Sequence, residues 1–144
     1  MTKLIAENKR ALAKYEIEEK FEAGIRLTGA EIKSVRLRRV DLRGSFVKIL
    51  NEEPFVLNLK IHRYQPAADR DYDPKRTRKL LLQKHQIKRL IGKDSQRGTL
   101  VVPLRMYLKD NVAKLEIGVG KMKRRWDKRE ALKERDDRRS LLSL

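Results

Sequence analysis

The sequence predicts a mainly β protein with short α-helices: a small antiparallel barrel followed by a basic tail. Three observations predict it. Apolar and polar residues alternate through several runs, as they do in half-buried strands. Tight turns, rather than long crossover helices, separate those runs, and no internal repeat is present. From residue 121 onward the alternation stops and charge takes over.

Each element can be justified in chain order. Residues 1–14 are polar and basic and include Asn8-Lys9-Arg10. Tyr15, Ile17, Phe21, Ala23, Ile25 and Leu27 then fall on one face, interrupted by Glu19, with Glu16, Glu18, Lys20, Glu22 and Arg26 on the other. This period of two predicts a long strand, ended by Thr28-Gly29. Ile32 and Val35 stand three apart among Glu31, Lys33, Arg36 and Arg39, which predicts a short helix with a basic outer face. Phe46 to Leu50 and Phe55 to Ile61 read as strands, and the turn Asn51-Glu52-Glu53-Pro54 makes them a hairpin. Residues 62–77 form a charged loop holding Pro66 and Pro74, and Lys79 to Leu82 re-enters the core. Ile87, Leu90 and Ile91 have helical spacing and predict a second helix, closed by Gly92. Leu100, Val102, Leu104, Met106 and Leu108 alternate, and Pro103 inside that run implies an edge or a bulge. Lys109-Asp110-Asn111 turns the chain, Ala113, Leu115, Ile117 and Val119 alternate back, and Gly118 and Gly120 end the regular body. Closing five or six such strands into a barrel removes exposed edges, and the oligonucleotide-binding (OB) type is the economical architecture. The domain plan is a barrel over residues 1–120 and a tail over 121–144.

Charge narrows the function. The chain has 144 residues and a formal net charge of +17. Residues 121–144 hold ten Lys or Arg against five acids, so most of the excess belongs to the body and the tail is not a basic arm on a neutral domain. Basic knots recur at Lys9-Arg10, at Arg36 to Arg39, at Lys75 to Lys79, at Lys88-Arg89 and in the tail. A phosphate polymer is the natural partner, because each neutralised phosphate releases counterions. A membrane surface fits poorly, since the tail before its last four residues offers only Met122, Trp126, Ala131 and Leu132 as an apolar face. A basic tail carrying one tryptophan suits entry into a polyanionic channel, with stacking on a base there.

Other chemistry has little support. There are no cysteines, which excludes disulfides and Cys-ligated metal sites. The only histidines, His62 and His85, lack an evident acid–base partner, and no phosphate-cradling glycine loop occurs. Glu18, Glu19 and Glu22 read as a solvated strand face rather than a metal site. The expectation is therefore a non-enzymatic protein with no cofactor or metal. With no apolar leader and no run long enough to span a membrane, a cytoplasmic monomer is expected. A structural ribosomal protein and an RNA-processing nuclease using His62 or His85 are the rival classes. Glu22 stands apart: a carboxylate on the outward face of a basic strand repels phosphate and suits base-edge donors.

Several motifs together resemble one family. They are Asn8-Lys9-Arg10-Ala11, Glu18-Glu19-Lys20-Phe21-Glu22-Ala23-Gly24-Ile25, and Gly29-Ala30-Glu31-Ile32-Lys33-Ser34-Val35-Arg36. Asp73-Pro74-Lys75-Arg76-Thr77-Arg78-Lys79-Leu80-Leu81-Leu82, Leu115-Glu116-Ile117-Gly118-Val119 and Asp127-Lys128-Arg129 follow in order. The chain resembles the small protein B family, the SsrA-binding proteins of bacterial trans-translation, over roughly residues 8–136. The resemblance implies an OB-type barrel that binds the tRNA-like domain of transfer-messenger RNA (SsrA). It also implies delivery of that RNA to stalled ribosomes lacking a codon. The tail, disordered when free and helical when bound, would occupy the empty mRNA channel near the small-subunit decoding centre. Carried over position by position, the RNA-binding residues are Asn8, Glu22 and Lys114, with Lys9, Arg10, Lys33, Arg36, Arg76, Arg78 and Lys79 in matching basic motifs. The tail residues implied at the decoding centre are Lys121, Lys123, Arg124, Trp126, Asp127, Lys128, Arg129, Lys133 and Arg135. Three departures from the family pattern matter. Leu37-Arg38 replaces a small residue and glycine after the short helix, Met122 replaces a glycine before the tail, and Trp126 stands where histidine or another aromatic is usual.

Overall fold

The computed structural model describes residues 1–66 and 71–123. In chain order the elements are β1 (Thr2–Glu7), α1 (Lys9–Lys14), β2 (Tyr15–Ile25), α2 (Gly29–Arg36), β3 (Val40–Asp41), β4 (Phe46–Leu50), β5 (Glu53–Leu57), β6 (Lys60–Ile61), β7 (Arg78–Leu81), α3 (Lys84–Asp94), β8 (Thr99–Lys109) and β9 (Val112–Met122). The main sheet runs β1-β8-β9-β2-β7-β5-β4, and every pairing in it is antiparallel. β4 packs back against β8, curling the sheet into the expected barrel, with β1 added outside β8 and β3–β6 as a separate small pair.

The turns are dictated locally. Asn51 and Glu52, and Asp110 and Asn111, all have positive φ. Two-residue hairpin loops with both central residues left-handed match the right-handed twist of the strands they join. The strand expected from Phe55 to Ile61 is split, because Asn58 is left-handed (φ 60°) and ties its amide to the Gly44 carbonyl at 3.0 Å. α2 starts with a capping box: Thr28 Oγ1 accepts from Glu31 N at 3.2 Å and Glu31 accepts from Thr28 N at 2.9 Å. It ends in a Schellman turn, with Arg39 N bonded to Ser34 O and Arg38 N to Val35 O. Arg38 occupies the left-handed position at φ 62°. Arg38, which stands where the family pattern has glycine, thus takes up a glycine's conformation itself.

Two glycine readings need correction. Gly92 does not close α3, which continues to Asp94 and is capped at Ser95. A glycine ends a helix only when it turns left-handed, and Gly92 does not. Gly118 and Gly120 do not end the body either; they lie inside β9, which pairs with β2 as far as Tyr15↔Met122. Their role is close approach. A Cβ on Gly118 would meet Leu104 Cδ1 at 2.7 Å, and one on Gly120 would meet the Glu16 carbonyl at 2.6 Å. Lys121 and Met122, assigned to the tail by sequence, are therefore the last residues of a paired strand. The N-terminal segment, which had no assigned element, supplies β1 and α1.

The core is double. β2 carries one extra residue between Ile17 and Glu19, and β8 one between Pro103 and Arg105, both opposite β9. A bulge flips the faces of everything beyond it. Phe21, Ala23 and Ile25 consequently join Met106, Leu108, Leu115 and Ile117 in the main cluster. Tyr15, with Ile17 against it, packs instead with Val102, Leu104, Phe46 and Ala11 in a second cluster.

Candidate nucleic-acid interface

The residues expected to touch RNA divide into an exposed set and a structural set. Asn8 belongs to the structural set. It is 3% exposed and caps α1, its side chain accepting from Ala11 N at 3.1 Å. Its amide hydrogens go to the Leu42 carbonyl at 3.2 Å and the Pro103 carbonyl at 3.1 Å. Asn8 pins three segments together, and both of its donors are spent.

Arg78 is the firmer correction. Read as a phosphate contact, it is wholly buried. Its Nε donates to Glu31 Oε2 at 2.7 Å, Nη1 to the carbonyls of Leu59 (2.6 Å) and Arg76 (3.2 Å), and Nη2 to Tyr72 Oη (2.9 Å) and the Pro74 carbonyl (3.1 Å). All five guanidinium N–H groups are used, so none remains for a phosphate. Arg76 is half-buried and forks onto Glu31 through Nε and Nη2. Glu31, which its spacing places on a basic, solvated helix, is 1% exposed and lies at the centre of this network. Burial alone would raise its pKa, but hydrogen bonds from Arg76 and Thr28 N and the charge on Arg78 outweigh burial and bring it to about 2. Burial likewise pushes the Tyr72 hydroxyl up to about 12. The network ties α2, β7 and the loop before β7 into one piece.

The exposed set sits on that frame. Lys9 and Arg10 lie on α1, and Lys33 and Arg36 on α2, all exposed. Lys33 Nζ stands 5.3 Å from the centre of the Tyr64 ring. Lys79 is half-buried and pairs with Glu53 at 3.2 Å. Lys121 is exposed, 3.7 Å from Glu18. Lys123 donates its backbone N–H to the Lys14 carbonyl at 3.0 Å, and its Nζ lies 3.5 Å from the Leu12 carbonyl. The root of the tail is thus held at the C-terminal end of α1, where helix carbonyls favour a cation. Arg124, Trp126, Asp127, Lys128, Arg129, Lys133 and Arg135 lie outside the described residues.

Glu22 and Lys114 do come together, on the outward face of the β2–β9–β8 sheet. Glu22 is 41% exposed on the side-chain scale. Tyr107 Oη donates to Glu22 Oε2 at 2.5 Å, and Lys109 Nζ is 3.6 Å from Glu22 Oε1. The Tyr107 bond, opposed by slight desolvation and helped by Lys109 and Lys114, lowers the Glu22 pKa. Two other acids of the strand go elsewhere: Glu18 to Lys121 and Glu19 to Arg89. Among the described residues no group of three or more His, Cys, Asp or Glu is placed to hold a metal, and no helix is long and apolar enough to cross a membrane. Sequence reasoning missed Tyr107 and Lys109. Their only signal was position on the polar side of the 100–108 alternation and in the turn after it.

Comparison with known proteins gives consistent results. The family model described as "SmpB protein" matches residues 5–143. An "SsrA-binding protein" of Carboxydothermus hydrogenoformans is 48% identical over 141 residues, covering 98% of this chain and 95% of that one. A protein of the same description from Listeria welshimeri is 50% identical over 139 residues, covering 96% and 90%. A solved chain described as "tmRNA-SmpB: a journey to the center of the bacterial ribosome" superposes with a TM-score of 0.71 at 43% identity, covering 85% of this chain and 87% of that chain.

Proposed function

The chain belongs to the SmpB family, and on that footing we propose that it is an RNA-binding adaptor of trans-translation. It binds the tRNA-like domain of transfer-messenger RNA through the barrel and brings that RNA to stalled bacterial ribosomes. The observation that carries this reading is near-half identity to SsrA-binding proteins along almost the whole chain, tail included. The geometry supports a binding role. Lys9, Arg10, Lys33 and Arg36 are exposed for phosphate, and Glu22 is an ionised acceptor set among lysines. The reading contains no chemical step and needs no cofactor, and it places the protein in the cytoplasm with the ribosome.

The tail carries the second half of the proposal. The residues beyond Lys123 enter the vacant mRNA channel, where Trp126 stacks on a decoding-centre base and the flanking Lys and Arg residues meet phosphate. Trp126 retains the stacking face of the usual histidine or aromatic and gives up the titratable nitrogens. Its root is already directed, because β9 stays paired through Met122 and Lys123 is bonded to α1.

Two measurements test this. Titration at two salt concentrations should show preference for the tRNA-like domain over an elongator tRNA, with both affinities weakening as salt rises. A chain carrying Trp126→Ala, Asp127→Ala and Lys128→Ala should keep wild-type affinity for the tRNA-like domain and lose peptide tagging of stalled ribosomes. Equal affinity for the two RNAs would make the protein a general polyanion binder, and loss of RNA affinity in the triple variant would end the division of labour.

A further inference from the structure

The pairing registers put Gly24, Lys114 and Tyr107 in one cross-strand row, with Glu22 and Glu116 in the next. Tyr107 is on β8 and Glu22 on β2, with β9 between them. The tyrosine therefore reaches across a whole strand to place its hydroxyl on the carboxylate at 2.5 Å. Gly24, next to Glu22 on the same face, puts no side chain beside the carboxylate. Its neighbour across the pairing is Leu81, an apolar side chain left 47% exposed. Lys109 and Lys114 flank the pair. The patch thus combines an apolar face, a fixed carboxylate and two cations, which are the parts needed to seat a base by its face, its edge and its phosphate.

We propose that Tyr107 is the positioning residue of a base-reading site, holding the Glu22 carboxylate toward the paired N–H donors of an unpaired guanine. The hydroxyl occupies one acceptor position on Oε2. Oε1 faces Lys109 Nζ at 3.6 Å, and since a carboxylate offers about four acceptor positions in all, lone pairs remain on both oxygens for a further donor. Guanine alone among the four bases carries two adjacent donors, N1–H and the exocyclic N2–H, on its Watson–Crick edge. A carboxylate fixed in one rotamer accepts both, whereas a freely rotating one must be ordered at the moment of binding. This inference rests on the proposed function and deepens it.

The test is a double-mutant cycle on the full chain with the tRNA-like domain, using Tyr107→Phe, Glu22→Ala and the pair, each checked for an unchanged melting temperature. Tyr107→Phe should weaken binding about three- to tenfold, the range for loss of one ordinary hydrogen bond, because the carboxylate itself remains. In the Glu22→Ala background the same change should have almost no effect. Kethoxal, which modifies N1 and N2 of unpaired guanines, gives the readout that a purely structural tyrosine would not move. At RNA-saturating protein, wild type should protect a guanine that Glu22→Ala exposes and Tyr107→Phe partly exposes. Wild-type affinity in Tyr107→Phe, losses that multiply in the pair, or no guanine whose protection follows Glu22 would each overturn the proposal. If wild type itself showed no preference for the tRNA-like domain over elongator tRNA, the proposed function would fail. If that preference stood while the cycle was additive, only this inference would fail.

Discussion

Glu31→Gln isolates the network that holds α2 to β7. The substitution keeps size and one acceptor but removes the charge facing Arg76 and the fully buried Arg78. Breaking a buried pair by neutralising one partner costs about 3–5 kcal/mol, because the other charge is left uncompensated. Linkage gives a similar figure independently. Glu31 titrates at about 2 in the fold against an ordinary 4.5, a gap equivalent to about 3 kcal/mol. The sign follows from a depressed carboxylate. Its contribution is complete above about pH 4.5 and is lost as pH falls toward 2. For a chain of this size, 3–5 kcal/mol corresponds to a melting temperature lower by about 10–20 °C. Thermal and urea unfolding of both proteins across an acid series is the assay. The two should differ most near neutrality and converge as the wild-type carboxylate protonates. A loss below about 1 kcal/mol, or acid curves that stay parallel, would refute the reasoning. It would mean that the carbonyls of Leu59, Arg76 and Pro74 satisfy Arg78 without an anion.

Two backbone changes should act in the opposite direction. Arg38→Gly relieves a left-handed arginine at the Schellman position, gaining about 0.5–1 kcal/mol after the entropy of the new glycine is counted. The urea midpoint should rise at constant m-value. A fall would mean that the bond from Arg38 Nη1 to the Leu4 carbonyl outweighs the strain. Gly92→Ala lies inside α3, where an added Cβ would meet nothing within 4 Å. It should add about 0.8–1 kcal/mol of helix propensity, read from the same titration. No gain there would show that α3 is already partly unwound at Gly92.

Much of the fold was legible because its strands obey the period of two and its turns use Asn, Asp and Gly. The exposure of Lys9, Arg10, Lys33 and Arg36 was equally legible, since a basic motif on a helix face is visible one residue at a time. What was not legible depends on long-range partners. Arg76 and Arg78 look alike in Lys75-Arg76-Thr77-Arg78-Lys79, yet Arg78 opens β7 and points inward with Leu80, whereas Arg76 lies in the loop before the strand and reaches Glu31 from the edge. Glu31 belongs with them although 45 and 47 residues away in sequence. Sequence alone places Asn8 ahead of a basic pair, and only the structure shows that its amide joins Leu42 and Pro103. Tyr107 was invisible for the same reason, since its significance is a carboxylate 85 residues earlier.

The two bulges explain why the alternation is correct as a strand signal and yet misplaces the faces. A strict period of two puts Tyr15, Ile17, Phe21 and Ala23 on one side of a sheet. The extra residue before Glu19 sends the first pair to the second cluster and the last pair to the main core. The break at Glu19 is the trace of this in the sequence: with a bulge there, an acid in the middle of an apolar face is not a defect but the point where the face changes side. Pro103 gives the matching signal in β8, where a residue with no N–H interrupts the ladder at the bulge. The consequence reaches the proposed binding face. Beyond its bulge β2 turns Glu22 outward toward Tyr107, and beyond its own bulge β8 turns Tyr107 and Lys109 outward to meet it. Removing either bulge would reverse one strand and bury one member of the pair. The carboxylate and its tyrosine therefore share a surface only because both strands change face on the same side of β9.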